Sequence, residues 1–120
     1  MMAKVAIVCN STEPRCVYPT FILGSSGLAV GNEVILFFTP GGGEILIKGK
    51  LEAMKGKGLP DMKDLVEKVK ALDGRIWICE LCLDAKDIKS EDLMDGVEIV
   101  GATEFMSRTS WVNLDMGTSA

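Results

Sequence analysis

Histidine is absent from the 120 residues of this chain. That removes the commonest general base, the commonest zinc ligand and every Ser-His or Cys-His nucleophilic pair. Long apolar runs are missing too: the longest, Val34 to Phe38, falls far short of the roughly 20 residues a membrane-spanning helix needs. The N-terminus enters a short apolar stretch at Val5 without the extended apolar core of a secretion signal, so a cytoplasmic location is expected. Basic residues are outnumbered 13 to 17, for a formal charge of −4, and they form no stripe. Nothing here would neutralise a phosphate backbone, and neither nucleic acid nor membrane is an expected partner. Proline is scarce, and all four (Pro14, Pro19, Pro40 and Pro60) lie in the first half of the chain.

What remains is enough for a packed core: 48% of the residues are hydrophobic and 25% charged, an ordered composition in a length that suits one domain. Continuous apolar runs at Lys4 to Cys9, Glu33 to Thr39, Arg75 to Cys79, Val97 to Val100 and Trp111 to Leu114 predict five strands. Between them the apolar residues take a helical period. Tyr18, Phe21, Ile22 and Leu28 form one stripe, with Gly31-Asn32 as its stop. Met62, Leu65, Val66, Val69 and Leu72 form another, with Gly74 in the capping position, and a short helix is expected near Thr103 to Thr109. The glycine-rich segment 41–58 reads as an ordered turn or short helix followed by a mobile loop. The expected fold is a single α/β domain over residues 1–116, with a five-stranded, mostly parallel sheet covered by helices on both faces. Residues 117–120 read as a frayed tail.

In such sheets ligands sit beyond the carboxyl ends of the strands. With a flavodoxin-like order of 2-1-3-4-5, the first and third strands would adjoin. Cys9-Asn10 and Cys79-Glu80 would then face one crevice. Cys79 and Cys82 form the strongest motif, a Cys-x-x-Cys pair closing a buried strand; in a reducing compartment such a pair reads as catalytic or metal-binding rather than as a structural disulfide. Free amides of a following helix would stabilise a thiolate there, while Glu80 and Asp84 would oppose it. Thioredoxin chemistry is disfavoured, because it requires a proline after the cysteines. Structural zinc is disfavoured by the loose spacing of Cys9 and Cys16, and no metal or cofactor is expected. Cys9 reads most simply as a small core residue, and Cys16, beside Arg15, as a resolving thiol or a bystander. The run Pro40-Gly41-Gly42-Gly43 matches no nucleotide-binding spacing and reads as a flexible turn.

Three stretches of the first half, Tyr18-Pro19-Thr20-Phe21-Ile22-Leu23, Gly31-Asn32-Glu33-Val34 and Phe37-Phe38-Thr39, resemble the DsrE/DsrF/DrsH-like proteins, especially the branch called peroxiredoxin-like. The second half does the same through Cys79 and Asp84, Ile88 to Glu98, Gly101-Ala102-Thr103 and Phe105. The resemblance implies a three-layer α/β domain that forms homo-oligomers and relays sulfur as a cysteine persulfide, with Cys79 at the position of the carrier. It implies a protein donor or acceptor of sulfur, and no peroxidase activity. Cys82 stands where relatives commonly carry serine, so this chain has a dithiol that most relatives lack. The expectation is a sulfur-relay protein using Cys79 and Cys82, with Cys9, Asn10 and Cys16 in support. A non-catalytic oligomeric binding module and a dithiol redox protein are the alternatives.

Overall fold

The computed structural model describes residues 3–109 and the backbone of 112–116. The chain runs β1 (Lys4–Cys9), α1 (Pro14–Ala29), β2 (Glu33–Phe38), α2 (Lys50–Ala53), α3 (Met62–Ala71), β3 (Arg75–Cys79), α4 (Glu80–Ala85), β4 (Val97–Val100), α5 (Ala102–Arg108) and β5 (Val112–Met116). Short 3-10 turns occupy Gly43–Leu46 and Ser90–Asp92. The strands lie in the order β4-β3-β2-β1-β5, and each adjacent pair is parallel. Side chains are described for β1 to β4, of which β1 carries Cys9 and β3 carries Cys79; for β5 the backbone alone is described. The expected 117–120 tail, and Trp111 at the start of the expected fifth strand, lie outside the described residues.

This is an α/β fold with a parallel sheet packed against helices, as the alternation of runs implies. Because successive side chains of a strand point to opposite faces, each strand feeds two cores. Ile7 and Cys9, Val34, Leu36 and Phe38, and Ile76 and Ile78 pack with α1 and α3 on one face. Ala6, Ile35 and Phe37, and Trp77 and Cys79 pack on the other, under Phe105 of α5. Phe105 is the one buried residue of α5; it stacks on Phe37 at 4.1 Å and meets the edge of Trp77 at 6.2 Å. Arg108, one turn further on, lies over the Trp77 ring and is held by Glu98 and Glu104.

Three local expectations are corrected. The strand order is not 2-1-3-4-5: β2 lies between β1 and β3, so Cys9 and Cys79 are not on adjacent strands, and they enter opposite cores. Helix α1 starts at Pro14, four residues before its apolar stripe, which places Pro19 inside the helix rather than in its first turn. The amide that Pro19 lacks would have met the carbonyl of Arg15, so the disruption stays near the N-terminal end, and Thr20 Oγ1 bonds the next carbonyl, that of Cys16. At the end of α3 the left-handed residue is Asp73 (φ 64°), not Gly74. Asp73 N and Gly74 N donate to the carbonyls of Lys70 and Val69, a Schellman-type stop. Gly74 is needed for space instead, since a Cβ there would come within 2.6 Å of Leu28 and 2.7 Å of Val69.

Candidate functional site at the carboxyl ends of the strands

The carboxyl ends of β1, β2 and β3 are joined by the glycine run that follows β2. Thr39 N donates to Cys9 O at 3.2 Å, and Thr39 Oγ1 donates to Asn10 Oδ1. The carbonyl of Thr39 then accepts from both Gly42 N and Gly43 N, at 2.9 and 2.8 Å, turning the chain back across the strand ends. A Cβ on Gly41 would lie 2.5 Å from Asn10 O, and one on Gly42 would lie 2.5 Å from Cys9 O. One on Gly43 would lie 2.9 Å from Ile78 Cδ1 and closer still to Cys82 Sγ. The triplet is therefore a close-packed bridge between Cys9-Asn10 and Cys82 and not the flexible turn that its composition suggests. Three consecutive glycines two residues beyond a buried strand were the available signal, since that pattern permits close backbone approach as well as flexibility.

The four cysteines are reduced and differ sharply in setting. Cys9 is buried and its thiol donates to Ser11 O at 3.3 Å. Cys82, on α4, is fully buried beneath Gly43; its Sγ donates to Pro40 O at 3.8 Å. Burial pushes the Cys82 thiol pKa up, helped by the charges of Cys79 and Glu44; Lys86 and the amide of Gly43 pull weakly the other way. Lys86 and Glu44 themselves pair at 3.6 Å above it. Cys79 caps α4 from the last position of β3, is 3% exposed, and makes no hydrogen bond among the described residues. Cys16, on the first turn of α1, is half-buried and the most accessible of the four. So the fold gathers Cys9, Asn10 and Cys82 around the glycine bridge and holds Cys79 close enough for its charge to act on Cys82. The Cys79 side chain nevertheless enters the opposite core. Among the described residues no three acidic, cysteine or histidine side chains come together as a metal site, and no helix is long and apolar enough to cross a membrane.

A family model described as "DsrE/DsrF/DrsH-like family" matches residues 43–116. The chain belongs to that family. The match takes in Gly43, Cys79 and Cys82, while Cys9, Asn10 and Thr39 lie before it. Two curated relatives are similar in sequence. The uncharacterized protein MJ0760 of Methanocaldococcus jannaschii is 28% identical over 97 residues, covering 81% of this chain, which spans only 35% of that protein. The protein named sulfur carrier protein DsrE2, from Allochromatium vinosum, is 26% identical over 142 residues, covering 85% of this chain and 89% of its own length. Among solved structures, the ychN protein from E. coli superposes with a TM-score of 0.77 at 20% identity, over 95% of this chain and 99% of its own. The protein of unknown function MTH1491 from Methanobacterium thermoautotrophicum gives 0.75 at 15% identity, over 94% and 98%. At those identities the structures establish a shared fold.

Proposed function

We propose that this chain is a sulfur carrier that holds a persulfide on Cys79. One observation carries the assignment: among the described residues Cys79 alone of the three buried thiols is not tied to a backbone carbonyl, while Cys9 and Cys82 donate to Ser11 O and Pro40 O. A thiol with no such donor bond to break is the freer nucleophile, and it stands at the carboxyl end of a parallel strand, where ligands of such sheets sit. The sulfur-carrier name of a relative that aligns over most of both chains supports the same chemistry. In the reaction the Cys79 thiolate attacks the sulfane sulfur of a donor. A new S–S bond forms on Cys79 as the donor's own bond breaks, and the donor leaves as the thiolate or as sulfite.

Cys82 is the second actor. Burial raises its pKa and so makes its thiolate scarce, which casts Cys82 as the later participant and not as the first nucleophile. Attack of Cys82 on the inner sulfur of the persulfide would release hydrosulfide and leave a Cys79–Cys82 disulfide, a step that requires the Cys79 side chain to leave the core opposite to Cys82. The test is intact mass after incubation with polysulfide in a Cys16→Ser background, which removes the most accessible thiol. One added sulfur atom is expected, kept in Cys82→Ser and lost in Cys79→Ser. An unchanged mass, with Cys79 reacting only after denaturation, would make the chain a binding module with inert cysteines.

A further inference from the structure

Cys79 shares its core with Phe37, Trp77, Val100 and Phe105, and among the described residues α5 is the only helix that contributes to that core. This helix is lightly held. Gly101 alone joins it to β4, and Phe105 is its one buried side chain. At its far end Arg108 spans two neighbouring strands. Its guanidinium lies 4.4 Å from the centre of the Trp77 ring and 3.0 Å from Glu98, which is the register partner of Trp77. The Arg108 side chain is 35% exposed and that of Glu98 50%, so dissolved ions reach this contact. The ring beneath it carries Trp77 Nε1, the one buried side-chain nitrogen or oxygen without a hydrogen-bond partner among the described residues. A buried donor left unpaired costs free energy that contact with water would recover. The closed position of α5 is therefore opposed from within.

From these features we infer that α5 is a lid over Cys79, hinged at Gly101 and latched by Arg108. The inference rests on the assignment of Cys79 as carrier and adds how access to it is regulated. With Arg108 on Glu98 and Trp77, Phe105 stays stacked on Phe37 and the Cys79 thiol is shut away from donors. Once Arg108 lets go, Phe105 is left as the only buried contact of the helix. Lifting α5 then hydrates Trp77 Nε1 and exposes Cys79 together, while Cys9 stays closed in the opposite core. Salt acts on the two holds differently. It screens the exposed Arg108–Glu98 pair and leaves the apolar Phe105 stack intact, so rising ionic strength loosens the latch without unfolding the domain.

The experiment labels the native Cys16→Ser protein with iodoacetamide at low and at high salt, and reads each cysteine by tandem mass spectrometry of its tryptic fragment. The rate at Cys79 should rise about three- to fivefold with salt, the weight of a surface ion pair. Arg108→Met keeps an apolar stem but removes the charge; it should raise the low-salt rate by a similar factor and abolish the salt response. Cys9 reports opening of the whole domain and should not follow. A Cys79 rate indifferent to salt and to Arg108→Met, or one that rises only in step with Cys9, would overturn the lid. Hydrogen exchange at the Trp77 indole N–H, assigned by its loss in Trp77→Phe and read by NMR, makes no use of thiol chemistry. It should quicken along with Cys79 labelling, and an unchanged exchange rate would also overturn the lid. Loading with polysulfide under the same conditions separates this from the parent reading. If labelling and exchange respond as stated but no sulfur reaches Cys79, the carrier assignment fails and the lid stands. If sulfur reaches Cys79 at one rate throughout, the lid fails and the carrier assignment stands.

Discussion

Replacing Gly43 with alanine tests the glycine bridge directly. Gly43 does not have a left-handed φ, so alanine there is free of backbone strain and, in open space, would stabilise by about 0.4–1 kcal/mol through the unfolded chain. The space is not open. The added methyl would stand 2.9 Å from Ile78 Cδ1 and 3.0 Å from Ile78 Cγ1, with the Cys82 sulfur nearer than either, where packed carbons prefer about 3.5–4.0 Å. Overpacking of this kind costs about 1–3 kcal/mol, leaving a net loss of about 1–2 kcal/mol for Gly43→Ala. Cys82→Ala alone should also destabilise, because it empties a fully buried site. Combined, the two should partly cancel, the alanine methyl at 43 occupying the volume the sulfur vacates. A coupling of about 1–2 kcal/mol in favour of the double variant is expected from urea midpoints at constant m. Singles that add to within about 0.5 kcal/mol would mean that Gly43 and Cys82 do not share this contact, and the bridge would be refuted.

Phe105→Ala removes the one buried anchor of α5 and should cost about 3–5 kcal/mol in chemical denaturation. In the same variant, with Cys16 replaced, Cys79 should react with a thiol reagent under native conditions faster than in the parent; an unchanged rate would show that α5 does not cover it. Cys82 supplies the pH dependence. Its folded pKa lies above the ordinary 9.0 of the unfolded chain, so its contribution is complete below pH 9 and is lost as pH climbs through the folded value. Cys82→Ala should therefore flatten the alkaline fall of urea midpoints, and a fall of the same steepness in both would contradict it. Asp73→Gly should stabilise by about 0.5–1 kcal/mol, because it relieves a left-handed non-glycine residue at the end of α3; thermal melting checks it, and no gain would mean that Asp73 is unstrained.

Much of this was legible in the sequence, and the failures have physical reasons. The runs at Lys4 to Cys9, Glu33 to Phe38 and Arg75 to Cys79 appear as strands because an unbroken apolar run suits a sheet buried on both faces. Their two-residue period already puts Cys79 with Trp77 on one face. Strand order was not legible: it depends on which crossover packs beside which strand, and no local pattern records that β2 lies between β1 and β3. The start of α1 was not legible because its first turn holds Pro14, Arg15 and Cys16, which add nothing to the apolar stripe that begins at Tyr18. The glycine triplet was misread because flexibility and close approach demand the same residue, and only the positions of Asn10, Cys9 and Cys82 decide between them.

Residence of sulfur on Cys79 can be tested in one peptide. Trypsin cleaves after Arg75 and Lys86, so Cys79 and Cys82 leave together in the fragment from Ile76 to Lys86. After brief loading of the native protein near neutral pH and blocking of all thiols, tandem mass spectrometry of that fragment places the added sulfur. It is expected on the N-terminal fragment ions that contain Cys79 and end before Cys82. An added mass that appears only once Cys82 is included would contradict the assignment of Cys79 as the carrier.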